Sequence, residues 1–328
     1  MFVKLAEHAR RWVFSAVVMG MSAAPAAFSR ADTFPQWAFP ASNPQAQQDG
    51  EDATRRLGLP GADRTFSEGA LHNLYAAPDW FPDSHPPAPA IVITGRPDAL
   101  AACGYCHLPD GSARPENANL SGLPADYIRR QVAAFRSGAR KPAAPGWAPS
   151  VLMAEVAGNA TNQEVAAAAG YFAAIPARAH LQVIEADRIT GSEAKAFLLR
   201  GIPGPGEPLG DRIVEGPADF ERFERRDPRL IYTAYVPPGS LKRGEALARA
   251  GGARVACDTC HGAGLRGGAG AAGPPLAGRS PSYLFRQLYG FSTGTRGGEA
   301  SIPMRAVVAR LSQKDMIALA AYAGSLKP

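Results

Sequence analysis

The sequence predicts a mainly α-helical protein of two tandem domains, with a small β insertion between them and an irregular N-terminal arm. A long-range repeat is the first observation. Leu120, Gly122, Tyr127, Arg130, Gln131, Phe135, Gly138 and Arg140 recur 156 residues later as Leu276, Gly278, Tyr283, Arg286, Gln287, Phe291, Gly294 and Arg296. In each copy the Tyr, Gln and Phe are four apart, and Ile128 with Val132, or Leu284 with Leu288, widens the stripe, which is the pattern of a helix face. Capping is the second observation. Met153, Val156, Thr161 and Tyr171 match Met304, Val307, Ser312 and Tyr322 at an offset of 151. Thr161 with Glu164 forms a capping box and Ser312 with Asp315 a weaker one, so terminal helices are expected over about 161–175 and 312–326. The third observation is the set of short β-like runs between the halves.

The elements follow in order. Residues 1–31 read as an export signal: Lys4, Arg10 and Arg11, then an apolar stretch from Trp12 to Met21, then small residues with A-x-A-like sites ending at Ala26 or Ala31. Ser15, Gly20 and Pro25 interrupt the apolar stretch, which is too short for a spanning helix. Residues 32–88 form a Pro- and aromatic-rich arm too broken for helices, expected to bury Phe34, Trp37, Phe39, Trp80 and Phe81 on the first domain. The first domain is 89–178 and the second 237–328. Between them, 179–236 carries β-like runs at 181–186, 195–199, 212–214 and 230–236, read as a small β module acting as spacer. The cluster of Glu221, Arg222, Glu224, Arg225, Arg226 and Asp227 reads as a solvated charged face.

Composition bounds the function. With 46% apolar and 20% charged residues the 328-residue chain is globular, and 35 Gly with 30 Pro imply long irregular connections. Lys and Arg number 35 against 29 Asp and Glu, with no basic run longer than two, so nucleic acid is not an implied partner.

The chain has four cysteines, all in two copies of one pattern: Cys103-Gly104-Tyr105-Cys106-His107 and Cys257-Asp258-Thr259-Cys260-His261. C-x-x-C-H is the attachment signature of haem c: two thiols form thioethers with the vinyl groups, and the adjacent imidazole ligates iron. One helical turn brings the three groups together. A zinc site, a thioredoxin-like motif and plain disulfides compete with this reading. The pairs are 154 residues apart, neither lies in a βαβ pattern, and neither disulfides nor the thioredoxin motif need the trailing His. Two covalently attached haem c groups are therefore expected.

Beyond the export segment the methionines are Met153, Met304 and Met316. Met153 and Met304 hold equivalent repeat positions, 46 and 43 residues after His107 and His261, and read as the sixth iron ligands. Met316 reads as core filler. His72, His85 and His180 lack counterparts in the other half and read as surface or structural residues.

On the C-x-x-C-H pairs, the L-x-G-x(4)-Y helix entry and the late Met, the chain resembles the tandem dihaem class I cytochromes c of the c-four kind, over 89–178 and 237–328. The resemblance implies single-electron transfer without catalytic residues. It also implies Cys103, Cys106, His107 and Met153 around one haem, and Cys257, Cys260, His261 and Met304 around the other. Redox partners would be a dehydrogenase, a quinol-oxidising complex or a terminal oxidase, and association with a membrane complex is compatible with this. The expected compartment is the periplasm, because haem attachment takes place outside the cytoplasmic membrane. A dihaem peroxidase, or the cytochrome subunit of a periplasmic dehydrogenase, is the alternative. In the family a Gly-Pro before the Leu helps orient the proximal His through a backbone carbonyl. Gly273-Pro274 fits, whereas Asn117-Ala118 departs and implies a different surrounding for the first His.

Overall fold

The structure, a computed structural model, describes residues 33–40, 52–249 and 255–328. The export segment expected at 1–31 and residues 41–51 of the arm lie outside the described residues. Beyond Phe34 the chain clusters as one unit, Pro35–Pro328.

The arm is more regular than its prolines suggest. β1 (Arg56–Gly58) and β2 (Thr65–Ser67) form an antiparallel hairpin, and Ser67 caps the single-turn α1 (Glu68–Leu71) by accepting from the Ala70 N–H. Leu59, Leu71, Trp80 and Phe81 make a small core of their own. The arm also touches more than the first half. Trp37 packs on Phe285 and Phe39 on Tyr289 of the second half, and the Trp80 indole donates to the Arg225 carbonyl of the insertion.

The first half contains α2 (Ala90–Ile93), α3 (Cys103–His107), α4 (Ala125–Arg136), α5 (Ala148–Asn159) and α6 (Asn162–Ala174). Thr161 and Glu164 form the expected box at the start of α6. Ile91, Val92, Ile128, Ala169 and Phe172 close this core, with α6 packed on α4 and α2. Helix α5 has no periodic signal in the sequence; its hydrophobic pattern is nearly isotropic because it is mostly Ala, Gly and aliphatic residues.

The insertion holds β3 (Leu181–Glu185), β4 (Arg188–Ile189), β5 (Ser192–Lys195), β6 (Leu198–Gly201), β7 (Glu207–Pro208), β8 (Val214–Pro217), α7 (Phe220–Glu224) and β9 (Tyr232–Val236). β9 is central, parallel to β3 and antiparallel to β8, and its alternate residues Tyr232, Ala234 and Val236 are buried. Two of the four expected β runs correspond to β3 and β9. Residues 195–199 instead span the turn between β5 and β6, where Ala196 and Phe197 adopt positive φ, and β8 begins only where the third run ends. The charged cluster is not a solvated face either. Arg226 and Asp227 are buried, Asp227 pairing with Arg222, because the chain turns inward at the end of α7.

In the second half come α8 (Ser240–Arg249), α9 (Asp258–His261), α10 (Pro281–Ser292), α11 (Ile302–Val308) and α12 (Gln313–Ser325). The box at Ser312 and Asp315 is complete, both bonds being formed. α12 packs chiefly on α8 and α10, and it also meets β3 and β9. α8 and α12 cross at Gly244, where an added Cβ would lie 2.0 Å from the Ala318 carbonyl oxygen. The core around α12 gathers Ile317 and Phe285 with Ile213 and Val236 of the insertion, Trp147 of the first half and Phe39 of the arm. Among the described residues no helix is long and apolar enough to cross a membrane.

Candidate functional site

Each C-x-x-C-H sits on a single helical turn tied at its start by a backbone bond. The Ala102 N–H donates to the Leu74 carbonyl ahead of α3, and the Cys257 N–H donates to the Ala248 carbonyl of α8 ahead of α9. Downstream the two halves repeat the same bonds: Ala113 N–H to the His107 carbonyl and Gly267 N–H to that of His261, then Leu120 N–H to Gly111 and Leu276 N–H to Leu265. The duplication is thus one of hydrogen-bond pattern as well as of residues.

Cys103, Cys106, His107 and Met153 line one cavity of about 630 Å³, walled by Ile91, Leu123, Ile128 and Phe172 among others. The His107 Nδ1 lies 2.7 Å from the Ala118 carbonyl oxygen, and the His261 Nδ1 lies 2.7 Å from that of Pro274. An Nδ1–H donating to a carbonyl leaves Nε2 unprotonated, the state an iron ligand needs. Burial pushes both imidazoles below the usual range, which also favours the neutral ring.

The expectation that Asn117-Ala118 changes the surroundings of His107 is corrected in one respect. Ala118 supplies the same carbonyl at the same distance as Pro274. Asn117 then reproduces a second bond with its side chain: its Nδ2 donates to the Cys106 carbonyl, as the Gly273 N–H does to Cys260. At Gly273 an added Cβ would approach the His261 ring to 2.7 Å, so the second half cannot take the side chain that the first half uses.

Three of the thiols are held protonated by burial. Burial pushes Cys103 up to about 12 and raises Cys106 and Cys257. Met304, on α11, is partly buried and packs on the same core as Cys257, Leu265 and Leu284. Met316 is buried in that core as filler. Of the rival imidazoles, His180 is buried against the Arg178 carbonyl, His85 bonds Asp79 and Tyr171, and exposed His72 lies at the cavity wall.

Between the halves the repeated polar residues meet. Residues 140 and 296 pair as an antiparallel bridge, the Lys141 N–H reaching the Thr295 carbonyl and the Gly297 N–H that of Ala139. Arg140 donates to Gln131 and across to Gln287 (2.6 Å); Arg296 donates to Gln287 and across to Gln131 and the Tyr127 hydroxyl (2.7 Å). Each guanidinium also stacks on its own half's Phe, Arg140 on Phe135 and Arg296 on Phe291. No carboxylate joins this cluster among the described residues, and both cations face the first cavity. Burial, and Arg296 close by, hold Arg140 below its usual value.

The apolar walls, the paired thiols, the imidazole with a free Nε2 and the uncompensated cations all fit an anionic, planar iron macrocycle. Sequence reasoning missed the insertion's share of the first cavity, which Ala196, Phe197, Glu224 and Arg226 line. It missed Arg286 as well. Its repeat partner Arg130 is exposed, whereas Arg286 is buried and donates to the carbonyls of Ala38 and Pro115. Burial lowers Arg286 to about 10.

No protein-family model matches the chain. Among curated proteins it is similar to a cytochrome c4 of Azotobacter vinelandii, 28% identical over 225 residues, or 68% of this chain and 83% of that one. It is similar also to a thiosulfate dehydrogenase electron acceptor of Stutzerimonas stutzeri (strain A1501), 28% identical over 231 residues, 70% of this chain and 80% of that one. Among solved structures, a thiosulfate dehydrogenase of Marichromatium purpuratum aligns with a TM-score of 0.48 and 29% identity, covering 73% of this chain and 39% of that chain.

Proposed function

We propose that this chain, similar over 68% of its length to a dihaem cytochrome c4, is an exported carrier that passes single electrons between redox partners. It carries two covalently attached haem c groups. Cys103 and Cys106 hold the first, with His107 and Met153 as axial ligands; Cys257 and Cys260 hold the second, with His261 and Met304. Each haem supplies a one-electron couple, and the protein supplies its ligands, its charge and its dry surroundings. Ala118 and Pro274 fix the two imidazoles, and Arg140 and Arg296 offer positive charge to the haem carboxylates at the junction. Thioether ligation favours ferrous iron and fits a carrier of fairly high potential. The compartment is the periplasm, reached through the segment 1–31, and no catalytic residue is needed.

The observation that carries this reading is the repeated constellation: two attachment turns whose His Nδ1 meets a backbone carbonyl at 2.7 Å, with a methionine at the equivalent later position. The test is expression with haem-maturation machinery, followed by optical and paramagnetic-resonance spectra. Two low-spin haems per chain, unreactive to carbon monoxide when reduced, are expected. A high-spin or peroxide-reactive haem would replace the carrier by a peroxidase-type enzyme.

A second reading is favoured by one specific similarity, that to a thiosulfate dehydrogenase electron acceptor. Here the chain serves as the cytochrome partner of a dehydrogenase, and rapid haem reduction by thiosulfate in the presence of such an enzyme, but not without it, is the result that selects this reading.

A further inference from the structure

The insertion reaches the first attachment site with unusual backbone. Ala196, Phe197 and Arg226 are the three non-glycine residues of 179–236 with positive φ, at 49°, 69° and 56°, and all three line the first cavity. Strain of this kind persists where surrounding contacts impose it. At Arg226 those contacts are visible: Nε donates to the Leu71 carbonyl of the arm (3.0 Å), Nη1 to the Tyr105 carbonyl inside the C-x-x-C-H turn (2.7 Å), and the guanidinium lies 3.5 Å over the Tyr105 ring.

The charges around it do not cancel. Arg114 and Glu116 form an ion pair at 2.9 Å, both buried, with Arg114 also stacked on Phe223 of the insertion at 3.6 Å. Asp227 pairs with Arg222 instead of Arg226. Arg226 therefore bonds only carbonyls, a buried cation with no carboxylate partner among the described residues. The corresponding loop of the second half is Gly268-Ala269-Gly270-Ala271-Ala272, with no charge at all.

We propose that Arg226 is an electrostatic tuning residue of the first haem, set against its attachment turn by the insertion so that this haem holds its electron more tightly than the second. The inference rests on the dihaem reading above. Reduction removes one positive charge from the iron, so a fixed cation in poorly screened surroundings favours the ferrous form. Arg is suited to the task because it stays protonated when buried.

The test is a redox titration of the holoprotein, with the first haem assigned by a Met153→His variant that lowers its couple alone. Arg226→Gln is expected to cut the ferrous-to-ferric ratio of the first haem about tenfold at fixed ambient potential, equivalent to about 59 mV for one electron, and to leave the second haem in place. Arg226→Lys, which keeps the charge, stays near wild type. Arg226→Met, which also removes the charge but keeps an unbranched stem, lowers the first haem alike and decides the matter if Arg226→Gln fails to accumulate. The proposal is overturned if the first haem does not respond to loss of the Arg226 charge, if both haems move together, or if Arg226→Lys falls as far as the neutral variants, which would make the role one of packing. Fewer than two covalent haems in the wild-type chain would instead overturn the dihaem reading.

Discussion

Replacing Gly244 by Ala tests the geometry around the second haem most directly. The new Cβ would lie 2.0 Å from the Ala318 oxygen and 2.6 Å from the Tyr322 Cβ, where ordinary contact begins at 3.4 Å. The obstacle is backbone of α12, so α8 and α12 must separate by more than an ångström. Overpacking of this kind costs about 3 kcal/mol. Removing a glycine from a helix returns up to about 1 kcal/mol. The balance is a loss of about 2 kcal/mol, or about 4–8 °C in Tm. Gly170 in α6 is the control, since an added Cβ there meets nothing within 4 Å. Gly170→Ala should stabilise by about 0.5 kcal/mol or more. Thermal unfolding of the two holoproteins by circular dichroism reads both. Because Cys257 hangs from the end of α8 by its bond to Ala248, Gly244→Ala should also weaken the methionine signature of the second haem alone. Equal melting temperatures for the two variants would refute the close crossing and the reasoning built on it.

Met153→His and Met304→His should each lower the potential of one haem and leave its absorbance low-spin, as a potentiometric titration resolves; a shift of neither removes both methionines from the iron. Replacing Cys103 and Cys106 together by Ala should leave one covalent haem per chain, counted by mass, with the second half still loaded. His85 gives a pH dependence. Its Nε2 faces Asp79 at 3.2 Å, and its Nδ1 lies 3.0 Å from the Pro86 carbonyl oxygen. The hydrogen bond to Asp79 first, and that to the Pro86 carbonyl after it, outweigh burial and raise its pKa above the ordinary 6.5. The stabilisation is thus complete below the unfolded value and disappears as pH rises through the folded one. Denaturant midpoints should fall across that window in the wild type and stay flat in Asp79→Asn.

The parts legible in the sequence were those with strict chemical or periodic constraints. Two C-x-x-C-H turns, the i, i+4 faces of α4 and α10 and the boxes at Thr161 and Ser312 each need particular residues at fixed spacing, so they could be read directly. Helix α5 could not, because its face is decided by what surrounds it and not by its own pattern. The role of Ala118 was hidden for a different reason: a backbone carbonyl has no residue signature, and any residue can supply one. Arg226 looked like one charge in a solvated run. Only the inward turn after α7 and the carbonyls of Leu71 and Tyr105, 155 and 121 positions away, make it a buried group. Arg130 and Arg286 show the limit of the repeat itself, since equal residues at equal positions meet the arm in one half and solvent in the other.

The Tyr, Gln and Arg shared across the junction form a near-symmetric seam. Each half presents the same three side chains to the same three of its counterpart, which is the arrangement of an isologous contact between identical subunits. Outside that face the likeness ends: one half carries a charged loop with the insertion laid over it, the other a loop of glycine and alanine. A symmetric seam thus holds together two sites that are free to differ.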